Sequence, residues 1–488
     1  MQPQSLSQVT GRVLWKHNAG YVFALLVLLT GCATFDPKAG FPEMSASVEE
    51  RSGMRVVWNA GTELDALVAQ KVRALLADKL TADAVVQVAL LNNRELQATY
   101  AEMGVAQADL VQAGLLKNPI FDIGVLFPLS GGVAKLELLT AIDFLHIFYM
   151  PLRKRVAAAR FEDAKLQVTG NVLDSAATVR AAFHRHQANE QMLELLQIIA
   201  QGLAISLEVA QRLHEAGNIT DLDLARERAL AEQAKLQLRD AEIAVRQSRE
   251  QLNILMGLWG KATAWEIDRR LPDIPEQPIP LEGLESQALR QSIDLASARQ
   301  RIIMAGEQLG FSRATALIPE LALGASAERE GGREDGTWKV GPVVAFEVPL
   351  FDQGQARIGR SSAELRRTQQ AYYALGVRIR STVRAVRERV RGTQDRVVYY
   401  RDILLPLRER IVNESQLQYN AMQLGVFDLL RAREQQIQAG VGYIEALRDY
   451  WLARTELGQI LSGRLPRPEG IQMSPTERPA NMVERDQH

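Results

Sequence analysis

Histidine and glutamate spaced as in zinc enzymes occur at one place in the chain, at His214 and Glu215. A zinc protease needs a second histidine four residues after the first, and Asn218 stands there instead. His184 and His186 lie two apart in a predicted helix, so their side chains point to different faces and are not expected to share a metal ion. No phosphate-binding loop, Gly-x-Ser-x-Gly motif or dinucleotide fingerprint is present. The sequence therefore predicts neither a catalytic site nor a cofactor.

The composition narrows the class of protein further. The 488 residues carry a formal net charge of −1, and 6% of them are aromatic. A near-neutral chain has no general attraction to nucleic acid, and the arginine-rich residues 378–391 are predicted to be a solvated helix face. The one cysteine excludes an internal disulfide and a cysteine-cluster metal site. The many Ala, Leu, Gln, Arg and Glu residues favour long helices.

Residues 1–31 are predicted to be a secretory signal. Arg12 and Lys16 precede the apolar residues 21–29, a run about half as long as the ~20 residues of a membrane-spanning helix. The run ends in Leu-Thr-Gly and Cys32, which resembles the bacterial lipobox and implies a lipid on Cys32, with Ala33 implying sorting to the outer membrane. An ordinary cleaved signal with an incidental cysteine is the alternative. No later stretch is expected to be apolar enough for a transmembrane helix, so strands are expected to make any membrane crossing.

One structural plan occurs twice in the sequence. Residues 90–115 and 289–316 are predicted helices, and each is followed by two runs of alternating polarity. The second run of each pair ends at a Pro-Leu dipeptide, at Pro151 and Pro349, and residues 152–216 are a predicted long helix. Residues 321–328 form the weakest of the four runs. The apolar positions of the others are Phe121, Ile123, Val125 and Phe127, then Leu136, Leu138, Thr140, Ile142 and Phe144, then Trp338, Val340, Val344, Phe346 and Val348.

Each copy of the plan continues as a long helix, a break and a returning helix. The motif Asp-Leu-x-x-Ala-Arg-Glu follows both breaks, beginning at Asp221 and at Asp428. Glycine suits a helix end that must turn, and Thr or Asp can cap the next helix, so both copies are predicted to be helical hairpins. The returning helices have a coiled-coil seam that Ser248 interrupts in the first copy. Residues 193–199 spread apolar surface over more than one helix face, which predicts neighbours on both sides.

The number of strand-like runs decides what a membrane interpretation requires. Alternation over about ten residues is the pattern of an outer-membrane barrel strand, although half-buried strands of a soluble sheet look alike. Four strands per chain cannot close a barrel, because about eight is the practical minimum, and an open sheet edge is not viable in lipid. If the runs cross a membrane, several copies must therefore share one barrel.

Three segments carry a resemblance to a known family: residues 92–96 (Asn-Asn-Arg-Glu-Leu), 112–119 (Gln-Ala-Gly-Leu-Leu-Lys-Asn-Pro) and 348–357, which begins Val-Pro-Leu-Phe-Asp-Gln-Gly. With both repeats in order, the chain resembles the outer membrane efflux protein family of TolC-like channels, in its lipoprotein branch. The resemblance implies a mainly α-helical protein with a membrane β-barrel, built from a duplicated strand pair and long helical hairpin. It implies a homotrimer with a twelve-stranded β-barrel continued by a twelve-helix periplasmic α-barrel. The implied partners are outer-membrane lipid, a periplasmic adaptor (membrane fusion) protein and an inner-membrane transporter of the RND type, with no nucleic acid.

The resemblance also carries the closed periplasmic end of such channels over to the two hairpin turns. It assigns a ring of gate carboxylates to Asp221 and Asp428, and Arg431 stands where some members have a second carboxylate. A ring of three identical carboxylates would attract cations, but the same aspartates can equally be helix caps, and both roles stay open. The residues assigned to the tip and gate are Gly217, Asp221, Asp223, Gly425, Asp428 and Arg431. The candidates for adaptor contact are His214, Asn218, Met422 and Phe427.

The expected organisation runs from a signal peptide (1–31) and a lipidated N-terminal segment (32–82) to a first repeat (83–260). A proline-rich linker (261–282) that crosses the outside of the helical tunnel leads to a second repeat (283–463) and a loosely ordered polar tail (464–488). The predicted function is a passive exit duct of an efflux system, without enzymatic activity. A lipid-anchored periplasmic coiled-coil scaffold or adaptor is the alternative.

Overall fold

The structure is a computed structural model that describes residues 35–59, 61, 63–127, 129, 134–275, 282–318, 320–330 and 336–466. Cys32, the signal segment, residues 276–281 of the linker and the tail from residue 467 lie outside the described residues. The chain divides into two compact units. One contains Gly104–Ala158 and Arg313–Gln353 with residues up to Ala39, and the other contains Gly40–Met103, Ala159–Ser312 and residues from Gly354 onward.

The four predicted strand runs form one antiparallel sheet in the first unit. The strands are β1 (Ile120–Leu126), β2 (Lys135–Asp143), β3 (Leu321–Glu330) and β4 (Thr337–Phe346), hydrogen-bonded in that order. The prediction of strands from alternating polarity is confirmed, including the weakest run, which is the ten-residue strand β3. Among the described residues, β1 and β4 each have a neighbouring strand on one side only.

Helices make up most of the remaining described chain, and two of them return from long hairpins. Residues Gly260–Thr263 form a 3-10 turn. In chain order the helices are α1 (Phe41–Ser52), α2 (Glu63–Ala77), α3 (Ala82–Asn92), α4 (Arg94–Ala113), α5 (Leu145–Glu215), α6 (Asp221–Met256), α7 (Leu284–Gln291), α8 (Ile293–Leu317), α9 (Gln355–Tyr399), α10 (Leu405–Asn420) and α11 (Val426–Leu461).

Two helices predicted as continuous are each broken by a polar residue. The predicted helix 90–115 is divided at Asn93, whose side-chain carbonyl accepts a hydrogen bond from the Glu95 amide (2.8 Å) and starts α4. The predicted helix 289–316 is divided at Ser292, whose hydroxyl accepts from the Leu295 amide (3.1 Å) and starts α8. Both breaks are side-chain caps, which favour a new helix start over continuation of the preceding helix.

The long helices also depart from their predicted limits. α5 begins at Leu145 rather than at residue 152 and contains Pro151. The Asp143 carboxylate accepts a hydrogen bond from the His146 amide (3.2 Å), so β2 passes directly into a capped helix. The second long helix was predicted to be unbroken, but a π-helical turn at Tyr400–Leu404 separates α9 from α10. Pro406 lacks the amide hydrogen that a regular helix needs at that point.

Two buried apolar clusters hold the second unit together. The first gathers α1, α2, α3, α4, the middle of α5 and the end of α6, and the second gathers α7, α9 and α11 with Ala188 of α5. Linker residues Trp265 and Ile267 belong to the first cluster, and Leu271 and Ile274 belong to the second. Each large apolar side chain that is fully buried contributes about 2 kcal/mol. The non-helical linker is therefore fixed by both clusters over its described part.

The end of α6 is held by the break between α3 and α4. Gly257 follows α6 in a left-handed conformation (φ 65°), and a side chain there would meet the Asn92 carbonyl oxygen at 2.9 Å. The side-chain Nδ2 of Asn92 donates to the carbonyls of Met256 (2.9 Å) and Gly257 (2.8 Å). Residues of the first repeat therefore close this junction by themselves.

The end of α11 is held in the same way, with a different donor. Gly463 follows α11 with φ 100°, and a side chain there would collide with the Gln291 carbonyl oxygen. Arg51 of α1 donates to the carbonyls of Gln291 (2.7 Å) and Ser462 (3.1 Å). The second junction is therefore closed by a guanidinium group from the N-terminal helix.

Arg464 lies at the start of the segment that was predicted to be a loose tail. Its side chain is 14% exposed, and its guanidinium donates to Asp174 at 2.5 and 3.1 Å and also to Asp294. The Leu465 amide donates to Asp294 at 2.9 Å. The expectation of loose order is wrong for Arg464 and Leu465, because two poorly exposed carboxylates hold them.

Candidate functional site

The sheet has one apolar face that is exposed in the isolated chain. Phe121, Ile123 and Val340 are 70%, 72% and 74% exposed. A contiguous exposed apolar face indicates contact with lipid or with another apolar partner. The strand register places these apolar residues on it: Phe121, Ile123 and Val125 of β1; Leu136, Leu138 and Ile142 of β2; Leu321 and Leu323 of β3; Trp338, Val340, Val344 and Phe346 of β4.

The opposite face of the sheet is charged. Lys135 Nζ lies 2.8 Å from a carboxylate oxygen of Glu137 and 2.8 Å from one of Glu328. At one end of the apolar face, the Arg329 guanidinium lies 5.9 Å from the centroid of the Trp338 ring. Apolar and polar faces with an aromatic residue at the end of the apolar face match the pattern of an outer-membrane barrel strand.

The turn between α5 and α6 has the backbone geometry that requires glycine. Gly217 has φ 74° and donates its amide hydrogen to the His214 carbonyl (2.8 Å), while the Asn218 amide donates to the Leu213 carbonyl (2.8 Å). These two bonds are those of a Schellman C-cap, in which glycine adopts the left-handed conformation without strain. The prediction of Gly217 at the turn is confirmed.

Two aspartates of this first turn have different surroundings. The Asp223 amide donates to the Thr220 hydroxyl (3.2 Å), and the Asp223 carboxylate accepts from the Thr220 amide (3.3 Å), which is a reciprocal capping box. Asp221 Oδ1 lies 2.7 Å from His214 Nε2, and its side chain is 98% exposed. Thr220 is therefore the N-cap of α6 and Asp223 is its partner in the capping box, whereas Asp221 presents its carboxylate to solvent.

The turn between α10 and α11 makes the same bonds with a different residue. Met422 donates to the Tyr419 carbonyl (2.9 Å), and Gln423 donates to the Gln418 carbonyl (2.9 Å). Met422 has φ 59°, and it is the one non-glycine residue of the described ranges with a positive φ. A left-handed conformation costs an L-residue about 1–2 kcal/mol, and the side chain is 96% exposed, so packing offsets little of that cost. Gly425 was predicted at the turn, but it has φ −71° and precedes α11 as its N-cap.

The hydrogen bonds show that the two turns are equivalent. The alignment given by the sequence motif is shifted relative to the alignment given by the turns. The shared motif aligns Asp221 with Asp428. The turns align Asp221 with the residue two positions before Asp428, and a shift of two residues is about 200° around a helix. Asp428 therefore has the position of the capping-box residue Asp223, and Val426 stands where Asp221 stands in the first turn. The matched pairs are Gly217 with Met422, Thr220 with Gly425, and Asp223 with Asp428.

The other tip candidates lie at the same two helix ends. Arg431 is exposed on α11 and matches Arg226 of α6, which lies 3.8 Å from Asp223. Asn218 is exposed and Phe427 is half-buried. These positions place the residues at the turns, while their roles in gating or adaptor contact stay predictions.

The two buried histidines have structural surroundings. His186 Nδ1 lies 2.8 Å from the hydroxyl of Ser248, which explains the polar residue in the seam of α6. The His184 ring stacks on Trp451 with centroids 5.1 Å apart, and its Nδ1 lies 3.3 Å from Gln187 Oε1. Burial lowers the pKa of both histidines to about 4, so both are neutral at pH 7. Across the described ranges, no three His, Cys, Asp or Glu side chains are grouped so that they could hold a metal ion.

Glu227, the last residue of the repeated motif in its first copy, is a carboxylate whose burial was not predicted. Its side chain is 3% exposed and accepts a hydrogen bond from the Ser206 hydroxyl (3.1 Å). Burial raises the pKa of Glu227. The seam of α6 contained the signal for this position, because Glu227 precedes the buried Ala231 by four residues and Ala234 by seven.

One helix of the described chain, α5, is long and apolar enough in one stretch to cross a membrane by length and composition. The expectation that no later stretch reaches this level is therefore wrong. Ile198 and Ile205 of this helix are 62% and 63% exposed. An interface helix of a protein assembly satisfies the same composition test, so the exposed apolar surface indicates an uncovered neighbour or lipid.

Comparisons with known proteins give relatives and structural neighbours of one kind. No protein-family model matches the chain. Over 388 residues the chain is 22% identical to the cobalt-zinc-cadmium resistance protein CzcC of Cupriavidus metallidurans, covering 79% of this chain and 90% of that protein. Over 309 residues it is 25% identical to the probable efflux pump outer membrane protein TtgC of Pseudomonas putida, covering 57% of this chain and 61% of that protein.

The crystal structure of the outer membrane channel CmeC of Campylobacter jejuni superposes with a TM-score of 0.63 at 17% identity, over 79% of this chain and 86% of that chain. None of these three proteins is named as an enzyme. The resemblance drawn from the sequence is confirmed: the chain has the mainly helical fold of the TolC-family outer-membrane channels, and its relatives include a protein named as an efflux pump outer membrane protein.

Proposed function

We propose that the chain is one subunit of a homotrimeric outer-membrane channel, the exit duct of a tripartite efflux system. The observation that carries the proposal is the four-stranded sheet with an exposed apolar face and two unpaired edges. Open edges are not viable in lipid, and four strands are too few to close a barrel. Three copies supply twelve strands, and the charged face then lines the lumen.

The long hairpins are proposed to continue the barrel as a twelve-helix tunnel in the periplasm of a Gram-negative cell. Exposed apolar side chains along α5 and α6 support this part of the proposal, among them Ile198, Ile205 and Leu236. A coiled-coil neighbour from another copy would cover them. The buried seam residues Ala231 and Ala234 fit a helix already packed within its own hairpin.

In this proposal conduction is passive, and an inner-membrane transporter of the RND type supplies the energy through a periplasmic adaptor. One relative is named for cobalt, zinc and cadmium resistance and the other names no cargo, so the proposal assigns no particular cargo to this chain. The adaptor is proposed to contact the hairpin ends at His214, Asn218, Met422 and Phe427.

The hairpin ends are proposed to form the gate, with Gly217 and Gly425 shaping the turns. Asp221 is the stronger gate candidate, since its exposed carboxylate lies outside the capping box, whereas Asp428 has the position of the capping-box residue Asp223. We expect Asp221→Ala to change conductance and block by divalent cations more than Asp428→Ala does. Equal and unchanged conductance and block in both variants would leave the two aspartates as caps only.

Cys32 is proposed to carry the lipid that adds to anchoring in the outer membrane. Cys32→Ser should remove the lipid mass while the protein still requires detergent, because the apolar sheet face itself enters the bilayer. The alternative function, a lipid-anchored periplasmic scaffold, predicts that the same variant is water-soluble. Its motivation is the coiled-coil seam of the returning helices.

A planar-bilayer recording of the purified protein, with its mass measured by light scattering, tests the proposal directly. A trimer that forms discrete ion-conducting pores is the expected result. A monomer that forms no pore at any voltage, pH or salt concentration would overturn the channel proposal.

A further inference from the structure

The first turns of α5 continue the apolar face of the sheet. Phe144 follows β2 in the even-numbered series whose side chains form that face, and its amide donates to the Leu321 carbonyl (2.9 Å). The Phe148 ring contacts the Phe144 ring edge-to-face, with centroids 5.4 Å apart. Both rings are exposed, and so is the side chain of Ile147. The exposed apolar surface therefore extends past the end of the strands onto the helix.

Two exposed cationic residues follow on the same side of α5. Lys154 lies seven residues after Ile147, and Arg155 lies seven residues after Phe148. Seven residues are about 20° short of two helix turns and about 10 Å along the helix axis. The aliphatic part of Lys154 passes over Gly114 after α4, where an added Cβ atom would lie 3.9 Å from Lys154 Cδ. Each cation is therefore placed beyond an apolar side chain on the same helix side.

The start of α5 contains cations without carboxylates. The segment from Leu145 to Phe161 has no Asp or Glu, and it contains Arg153, Lys154, Arg155 and Arg160. Among the described residues, neither Lys154 nor Arg155 has a carboxylate within ion-pairing distance. Contacts within the described chain therefore do not neutralise these two exposed charges.

The carboxylates at this end of the sheet lie on the opposite, charged face. Asp143 is in the odd-numbered series of β2, and its carboxylate lies 3.5 Å from Lys117 Nζ. The Glu347 amide donates to the Glu320 carbonyl (3.2 Å), so these two residues extend the β3–β4 ladder by one pair. They alternate with the last apolar pair of that ladder. Positive charge therefore follows the apolar face, whereas negative charge follows the charged face.

Apolar rings followed by unneutralised cations match the chemistry of a phospholipid at the surface of a bilayer. Acyl chains cover exposed apolar side chains, and Lys and Arg side chains beyond the apolar zone reach the phosphate groups. The Arg155 guanidinium can donate to two phosphate oxygens at once, and the Lys154 ammonium adds a second charge. Inorganic phosphate would leave the apolar rings uncovered. The arrangement therefore favours a lipid over a free anion.

We propose that Lys154 and Arg155 bind the phosphate groups of anionic phospholipids in the leaflet nearest the helices. This inference rests on the proposed trimeric channel, in which three copies supply six such cations. A zwitterionic lipid has an ammonium group beside its phosphate, and that group is repelled by the two cations. An anionic lipid such as phosphatidylglycerol lacks the ammonium group, so it is bound in preference.

Lipid retention by the full chain tests this preference. The protein is reconstituted in bilayers of phosphatidylcholine and phosphatidylglycerol and extracted in mild detergent, and the retained lipids are quantified by mass spectrometry. One Lys or Arg at a membrane surface contributes about 1 kcal/mol of attraction to anionic lipid, which is about fivefold in binding. We expect phosphatidylglycerol to be enriched about fivefold or more over its share of the bilayer. The Lys154→Gln/Arg155→Gln variant should lose that enrichment.

The matched control is Lys71→Gln/Arg73→Gln. These two residues are also an exposed Lys and Arg without an ion pair among the described residues, and they lie on α2 in the other compact unit. The control should keep the enrichment, and so should Lys154→Arg/Arg155→Lys, because the charges remain. All variants should form the parent's pores in planar bilayers, which shows that they are folded.

Three results would contradict the lipid site. Unchanged enrichment in Lys154→Gln/Arg155→Gln, or equal loss in the control, would overturn it and leave a pore-forming channel standing. Loss of enrichment in inorganic phosphate, but not in sodium chloride of equal ionic strength, would assign the two cations to a free anion and also overturn it. A protein that retains neither lipid and stays in solution without detergent would overturn the proposed channel itself.

Discussion

Exchanging the residues at the left-handed positions of the two hairpin turns should change the stability of the turns in opposite directions. Met422→Gly removes a left-handed cost of about 1–2 kcal/mol and adds about 0.5–1 kcal/mol of unfolded-chain entropy. Because the Met422 side chain is 96% exposed, almost no buried area is lost. We expect a gain of about 0.7 kcal/mol at the second turn, and Gly217→Met should destabilise the first turn by a similar amount.

Hydrogen exchange of peptides from residues 415–425 and 210–220 of the purified protein measures these changes locally. A gain of about 0.7 kcal/mol corresponds to roughly threefold slower exchange, since 1.4 kcal/mol is tenfold. Gln423→Gly is the matched control, because Gln423 is exposed and lies outside the positive-φ residues of the described chain. It should speed exchange slightly. If Met422→Gly sped exchange as the control does, the assignment of backbone strain to this turn would be refuted.

Three further perturbations follow from buried charges. Arg464→Ala removes the cation that pairs with two poorly exposed aspartates and should destabilise the protein by about 3–5 kcal/mol. Arg212→Ala, at an exposed ion pair, should change the unfolding free energy by less than about 0.5 kcal/mol, and equal melting temperatures for the two variants in detergent would contradict this difference. The pKa of His184 and of His186 is about 4 in the folded chain and near 6.5 in the unfolded chain, so the unfolded state gains protons first as the pH falls. The unfolding free energy should therefore decline between pH 6.5 and about 4. A flat profile in denaturant titrations, or one that His186→Gln leaves unchanged, would oppose this reasoning. Burial raises the pKa of Glu227, so the contribution of this group to stability is lost as the pH rises through the raised pKa. Glu227→Gln should therefore slow hydrogen exchange in α6 at pH 7.5 but not at pH 4. Equal slowing at both pH values would argue against ionisation of Glu227 as the cause.

The strands and hairpins could be predicted from sequence because their signals are local. Alternation of apolar residues over seven to ten positions is sufficient to locate β1 and β4, and the sheet register then follows from the hairpins. The duplicated plan likewise needed only a comparison of the two halves. The seam of α6 predicted the buried Ala231 and Ala234, because helical spacing alone decides which face packs.

The equivalence of the two turns could not be predicted from the shared motif. Similar letters after each break matched Asp221 with Asp428, yet turn equivalence is decided by backbone bonds and by which residue caps the helix. Thr220 caps with its side chain, whereas Gly425 caps without one, so the two N-caps share no sequence signal. A methionine in the left-handed position also gives no sequence signal, since glycine is the usual residue there.

Contacts between segments distant in the sequence also could not be predicted. Arg464 looked like the start of a polar tail, because nothing near it in the chain indicates that Asp174 will face it. Pro151 looked like the end of a strand, whereas a cap eight residues earlier had already started the helix. In both cases the deciding partner is defined only after the chain has folded.

The two glycine junctions make the duplicated halves unequal. Asn92 belongs to the same half as the Gly257 that it holds, so residues 83–260 include every group of that junction. The junction at Gly463 depends on Arg51, which precedes both halves. A gene fragment encoding the second half alone would therefore lack the Arg51 hydrogen bonds that hold the end of α11. The two halves therefore differ at this point, because α1 contributes a side chain to the junction of the second half.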